Sequence, residues 1–376
     1  MKLVKRAIQP IINDYLNKGK IIIVYGARRV GKTTLMKQIL DENPDGKYIN
    51  CDLLQYRSAL ETTNSELLKS FIGNSKLLIL DEAQQIGNIG MTLKIITDEF
   101  PDVQVIATGS SSFELSGKLS EPLTGRSRVF HLLPFSISEL EQNYPLIEIQ
   151  ARLPNILRFG LYPEVYNYGD AESIEELQNI ASNYLYKDIL QLETLKRPDL
   201  VHRLLKAIAL QAGSEFTYNE LAVLLGENIP TLKRYIEILE QSFVIFRLPS
   251  FSRNLRKELG KRNKIFFYDT GIRNALIMNF NPPDMRTDAG ALWENFCIVE
   301  RIKFIKNNRS FRNLYFWRTY DQKEIDLVEE YSGKLEAWEM KWRVTKKTKA
   351  PKEFLDTYPA SSFSVITPEN FTDLLS

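Results

Sequence analysis

Histidine and cysteine are nearly absent: two of each occur in 376 residues. With only His131 and His202, a His/Cys zinc centre lacks ligands. Cys51 and Cys297 lie far apart in apolar contexts, which reads as two reduced, buried thiols and a cytoplasmic location. No apolar run approaches the ~18–20 residues of a membrane span, so no membrane partner is expected. The basic start Met1–Arg6 is soon interrupted by Pro10, Asn13 and Asp14, which breaks any signal-peptide core. With soft ligands this scarce, a catalytic metal must rest on carboxylates and phosphates, which suits Mg²⁺.

The composition is otherwise ordinary for a globular chain, 44% apolar and 26% charged, with length for two or three domains. Net charge is only +2, but residues 251–352 hold 22 Lys and Arg against 13 Asp and Glu. The asymmetry suggests a C-terminal part facing nucleic acid; a solvated basic surface is the alternative.

One stretch organises the chain. The apolar run Ile21–Tyr25 is followed by Gly26-Ala27-Arg28-Arg29-Val30-Gly31-Lys32-Thr33-Thr34 and then by a helical pattern. Strand, glycine-bounded turn and helix N-terminus are the context of a phosphate-binding loop. The glycines let backbone N–H groups approach phosphate oxygens, and the helix aims its positive end there. Residues 26–34 therefore bind the nucleotide, ATP. Lys32 reaches the β- and γ-phosphates, and Thr33 ligates Mg²⁺.

Strands are expected at 47–51, 76–82, 103–110 and 128–132, separated by helical patterns. The expected fold is α/β, a parallel sheet with helices on both faces. Chemistry in such a sheet gathers at the carboxyl ends of the strands. Asp81 ends one strand and would hold Mg²⁺; Glu82 would orient or deprotonate the attacking water, and Gln84 would help place it. Without the loop nearby, the same acids would read as a helix cap. In Thr108-Gly109-Ser110-Ser111, Ser110 is the first choice for a residue sensing the γ-phosphate and Thr108 the second; the alternative is a plain turn. Arg126, preferred to Arg128, is either a surface charge or an arginine finger, which in trans would imply a homo-oligomer.

Gly26–Thr33, Leu80–Gln84, Thr108–Ser110 and Leu123–Arg126 resemble an AAA-type P-loop ATPase. More specifically, the chain resembles a large prokaryotic family that joins this ATPase to a winged helix and a C-terminal domain related to the PD-(D/E)XK nucleases. Gly160-Leu161-Tyr162-Pro163-Glu164 resembles that family's lid segment, with Arg158 the candidate second sensor arginine. The implied parts are an ATPase domain at 1–145, a helical lid at 146–198, a winged helix at 199–275 and a nuclease-like α/β domain at 276–376.

Residue chemistry supplies a parallel reading of the last two parts. Three helical patterns between 200 and 241, then a strand from Phe243, suggest a winged helix. On its third helix Leu232, Tyr235, Ile236 and Leu239 form the apolar face, leaving Thr231, Lys233 and Arg234 for a major groove or for a protein partner. The basic run 253–264, with Arg256, Lys257, Lys261 and Arg262, is either a wing gripping phosphates or a solvated loop. In the tail, Glu294 lies on a helix, and a hairpin carries Asp326 and Glu339-Met340-Lys341. Alternation sets Trp338, Met340 and Trp342 on one face and lets Asp326 face Glu339 from the next strand. This is the nuclease order: Asp326 and Glu339 would bind Mg²⁺, Glu294 would complete the shell, and Lys341 would steady water or phosphate. A charged hairpin face is the alternative.

The leading function is Mg²⁺-dependent ATP hydrolysis coupled to nucleic-acid binding, with DNA the favoured partner. The competitors are a nucleotide-controlled nuclease and a protein-binding or signalling switch.

Overall fold

The computed structural model describes residues 3–110, 123–184, 197–251, 263–319, 321–344 and 348–376. Packing divides the chain into two units: residues 5–133 with 241–243, and residues 134–240 with 244–376 and the first four.

In the first unit, helices α1 (Ile8–Tyr15), α2 (Lys32–Asp41), α3 (Leu54–Leu60), α4 (Ser65–Ile72) and α5 (Ile89–Glu99) accompany strands β1 (Ile21–Tyr25), β2 (Gly46–Asn50), β3 (Leu77–Asp81), β4 (Gln104–Gly109) and β5 (Ser127–His131). The strands form one parallel sheet in the order β2-β3-β4-β1-β5. Every residue of β1, β3 and β4 is buried, whereas β2 and β5 at the edges are partly exposed. This is why the inner strands read as unbroken apolar runs: both of their faces are covered. The register sets Tyr25 beside Gly109 and Asn50 beside Asp81, so the carboxyl ends of the strands share one edge.

The second unit begins with α6 (Ile137–Leu140), α7 (Leu146–Phe159) and α8 (Asp170–Asn179). Then come α9 (Pro198–Leu210), β6 (Glu215–Phe216), α10 (Tyr218–Leu225), α11 (Ile229–Gln241), β7 (Ile245–Pro249) and β8 (Asn263–Phe267). Helix α10 starts at a Thr217–Glu220 capping box, and Asn228 caps α11 by accepting from the Thr231 N–H. The three strands form an antiparallel sheet, β6-β8-β7. Short α12 (Thr270–Leu276) leads to α13 (Ala289–Asn307). A four-stranded sheet follows, in the order β12-β11-β10-β9: β9 (Asn313–Arg318), β10 (Glu324–Tyr331), β11 (Lys334–Met340) and β12 (Ser362–Ile366), with α14 (Lys352–Thr357) between the last two.

Two local details position side chains. Gly160 ends α7 at φ +71°, and a Cβ there would lie 2.0 Å from Asp269 Oδ1. The Asp269 carboxylate fills that space, accepting from the Leu161 N–H at 2.7 Å and the Ile272 N–H at 3.2 Å. In β10, Ile325 and Val328 share one hydrophobic cluster although three residues apart. A regular strand would send them to opposite faces. The register shift between them supplies the extra residue, and such bulges re-aim nearby side chains.

No helix among the described residues is long and apolar enough to cross a membrane.

Candidate functional site: a P-loop centre and a buried carboxylate centre

The loop after β1 turns through Arg29 (φ +64°) and Gly31 (φ +94°) into α2. Gly31 is needed for its left-handed backbone. Gly26 is needed for a second reason: a Cβ there would lie 2.3 Å from the Leu132 carbonyl oxygen. The buried Lys32 ammonium is held inside the loop, donating to the carbonyls of Gly26 at 2.9 Å and Ala27 at 3.1 Å, and it lies 3.8 Å from Glu82 Oε1.

Asp81, at the end of β3, is buried and accepts from three hydroxyls: Thr33 at 2.6 Å, Tyr48 at 2.6 Å, and Thr108. The Glu82 N–H donates to Thr108 Oγ1 at 3.0 Å, and Glu82 itself adopts φ +57°. Gln84 Nε2 donates to the Glu82 carboxylate and, at 3.2 Å, to Ser110 Oγ. Lys32, Thr33, Asp81, Glu82, Gln84, Thr108 and Ser110 thus meet at one edge of the sheet. Thr33 hydroxyl and Asp81 carboxylate form an all-oxygen pair that suits Mg²⁺.

Tyr48 escapes sequence reasoning, because its place beside Asp81 follows from β2 pairing with β3. Burial, then its bond to Asp81, holds its phenol above the ordinary range. Nearby Cys51 is pushed up to about 12, mainly by burial, so this free thiol stays protonated; Cys297 is likewise free and buried.

Arg126 lies elsewhere. Its carbonyl accepts from the Ile21 N–H at the start of β1, and its guanidinium meets Asp98 at 3.1 Å on the surface. The five residues of β1, roughly 16 Å at about 3.3 Å each, separate it from the loop. A finger acting on its own chain's loop is thereby excluded. Arg128 stacks on Tyr15, 4.0 Å from the ring centroid. Arg158 binds the Phe280 carbonyl at 2.8 Å and Asp170 at 2.8 Å, within the second unit.

Residues 18–141 match a family model described as an AAA domain. The P-loop fold is of the AAA type. Residues 150–283 and 289–372 match two models each described as a domain of unknown function, DUF8612 and DUF4143. The chain is similar to an uncharacterised protein of Mycobacterium tuberculosis, 26% identical over 334 residues covering 87% of this chain and 71% of that protein. It is also similar to one of Methanocaldococcus jannaschii, 26% identical over 337 residues covering 83% and 74%. Among solved structures it resembles a Walker-type ATPase of Pyrococcus abyssi, with TM-score 0.49, 18% identity, and coverage of 73% of this chain and 96% of that one.

The second unit brings together the acids of the tail. Glu294 on α13 and Glu324 and Asp326 on β10 each place an oxygen within 4.8 Å of the other two. Glu339 is not in that set; it accepts from Lys341 Nζ at 2.6 Å. Asp326 accepts from the Met340 N–H at 2.7 Å. Burial, then repulsion from Asp326, pushes Glu294 up; burial, then repulsion from Glu339, pushes Asp326 up. Glu324 is a residue that sequence reasoning passed over, although its i, i+2 spacing from Asp326 was visible.

The larger correction concerns Lys264. As part of a basic run it reads as a phosphate-gripping surface residue. In the structure it is 2% exposed, and its ammonium pairs with Glu294 at 2.7 Å and with Glu324. Burial alone would depress this lysine, but Glu294, Glu324 and Asp326 together hold it above the ordinary range. Arg273, Arg286, Arg301 and Lys303 are also buried, as are the acids Asp269, Glu300, Asp326 and Glu329. Arg301 makes a two-pronged pair with the fully buried Glu329, at 2.7 and 3.0 Å.

On α11, Lys233 and Arg234 are exposed, Thr231 is half-buried, and Leu232, Tyr235, Ile236 and Leu239 are buried. Arg256, Lys257, Lys261 and Arg262 lie outside the described residues.

Proposed function

We propose that this protein hydrolyses ATP with Mg²⁺ and couples hydrolysis to nucleic-acid binding, with DNA the favoured partner. The observation that carries the reading is the 2.6 Å contact of Thr33 with Asp81, with Lys32 and Glu82 3.8 Å apart beside it. Thr33 and Asp81 would hold Mg²⁺, which supplies positive charge against the phosphates. Lys32 binds the β- and γ-phosphates. Glu82, steadied by Gln84, accepts a proton from the attacking water. Ser110, one bond away through Gln84, is suited to report on the γ-phosphate. The two protonated, buried thiols accord with a cytoplasmic location.

The nucleic-acid half rests on the order α9, β6, α10, α11, β7, β8, which fits a winged helix. Lys233 and Arg234 would meet phosphates or bases from α11. A protein-binding switch would use the same helix without salt-sensitive DNA affinity. Glu294 and Asp326, with the Glu339–Lys341 pair on the neighbouring strand, favour a second reading, a PD-(D/E)XK-like nuclease centre.

The test is ATP turnover with and without single- and double-stranded DNA. Glu82→Gln should keep ATP binding and slow turnover by roughly 10²-fold or more; Lys32→Ala should weaken binding itself. Lys233→Ala with Arg234→Ala should lower DNA affinity and flatten its salt dependence. Full turnover in Glu82→Gln would refute the hydrolytic assignment. DNA affinity indifferent to salt and to both α11 changes would leave the protein-binding switch. Metal-dependent nicking abolished by Asp326→Asn would establish the nuclease reading.

A further inference from the structure

Buried Asp326 with half-buried Glu294 and Glu324 beside it is a carboxylate cluster that needs a compensating cation. The chain supplies one. Lys264 is on β8, where it pairs with Leu248 of β7 and Glu215 of β6. Its side chain leaves that sheet and ends among Glu294, Glu324 and Asp326, over the ring of Phe316. Glu324 also meets Arg318 at 3.2 Å, and Arg318 meets Glu215 at 3.1 Å. A chain of charges, Glu215–Arg318–Glu324–Lys264–Glu294, therefore joins the β6-β8-β7 sheet to the carboxylate centre.

We propose that Lys264 is the resident cation of this centre and closes it to divalent metal. Its nitrogen sits 2.7 Å from the Glu294 oxygen, close to where an ion about 2.1–2.4 Å from the same oxygens would sit. Two cations cannot share that space: at such separations their repulsion exceeds thermal energy many times over. Metal enters only when the Lys264 ammonium withdraws, which its flexible four-carbon stem permits. The inference goes beyond the proposed function and depends on neither ATP hydrolysis nor cleavage.

The experiment is Mn²⁺ titration of the full, nucleotide-free chain, following free Mn²⁺ by electron paramagnetic resonance. Wild type is compared with Asp326→Asn, Lys264→Met and Lys264→Met/Asp326→Asn. Lys264→Gln, which keeps a hydrogen-bonding head, replaces Lys264→Met if the latter does not fold. The expected result is no Asp326-dependent Mn²⁺ site in wild type. Lys264→Met should gain one, binding Mn²⁺ at least ~10-fold more tightly than any weak residual binding of wild type, and Asp326→Asn should remove it. A site in wild type that Asp326→Asn abolishes overturns the proposal, and that comparison needs no Lys264 variant. A folded Lys264 variant that gains no site also overturns it. Mn²⁺ bound by Lys264→Met without DNA nicking would discard the nuclease reading and leave this one standing.

Discussion

Asp269 shows how one buried carboxyl ties structure to pH. Burial raises it to about 6, against the pull of the N–H groups of Leu161, Ile272 and Gly271 and of the Lys303 charge. In the unfolded chain it would titrate near 3.9. The folded state therefore binds the extra proton between about pH 4 and pH 6. Its contribution to stability is fully present below about pH 4 and is lost as pH rises through about 6, on the order of 3 kcal/mol in all. Denaturant unfolding of wild type should lose stability across that window relative to Asp269→Asn. Parallel profiles for the two proteins would contradict the assignment. Residues of this kind were only half legible. Lys32, Thr33, Asp81 and Glu82 follow from local spacing, because strand, turn and helix bring them together within short stretches. Tyr48 and Lys264 reach their sites through strand pairing and long side chains, which no window of sequence reveals.

At the scale of elements, local pattern was a good guide wherever an element buries one face. The apolar stripe of α11 and the unbroken runs of β1, β3 and β4 are direct readings of burial. The bulge in β10 was not legible: Glu324–Leu327 alternates like any strand, and the apolar pair Leu327-Val328 does not by itself say that its neighbours impose a shift. The junction after α7 is a sharper case. Gly160 combines φ +71° with a 2.0 Å approach to Asp269, so both its backbone and its missing side chain are required. Gly160→Ala should cost roughly 2–4 kcal/mol in equilibrium unfolding. A loss under about 0.5 kcal/mol, the size of an ordinary surface change, would mean that Asp269 moves aside freely.

At the scale of the molecule, Arg126 is the informative residue. Its place at the amino edge of the sheet, paired with Asp98, removes it from its own chain's loop and leaves a catalytic role only against a second copy. If it acts there, hydrolysis per subunit should rise with protein concentration. Mixing Arg126→Ala with Lys32→Ala subunits should restore part of the lost activity, because each supplies what the other lacks. Concentration-independent turnover together with failed complementation would reduce Arg126 to a surface charge. The C-terminal positive charge carries the same lesson. Composition does not place individual charges: Lys264, Arg273, Arg286, Arg301 and Lys303 point inward, and so do Asp269, Glu300, Asp326 and Glu329.

By itself the sequence determined the α/β class, the P-loop and the acids that follow β3. Those features are written in residues close along the chain, where hydrophobic period, glycine placement and helix starts act locally. Tertiary structure alone decided which cation meets which acid. Charge composition counts ions but not their addresses, and a buried charge is stable only where folding brings its counter-charge within a few ångströms. For Lys264 that partner lies 30 positions away at Glu294, across a different element. Only the folded chain could show that this lysine belongs to the carboxylate centre and not to a surface that grips phosphate.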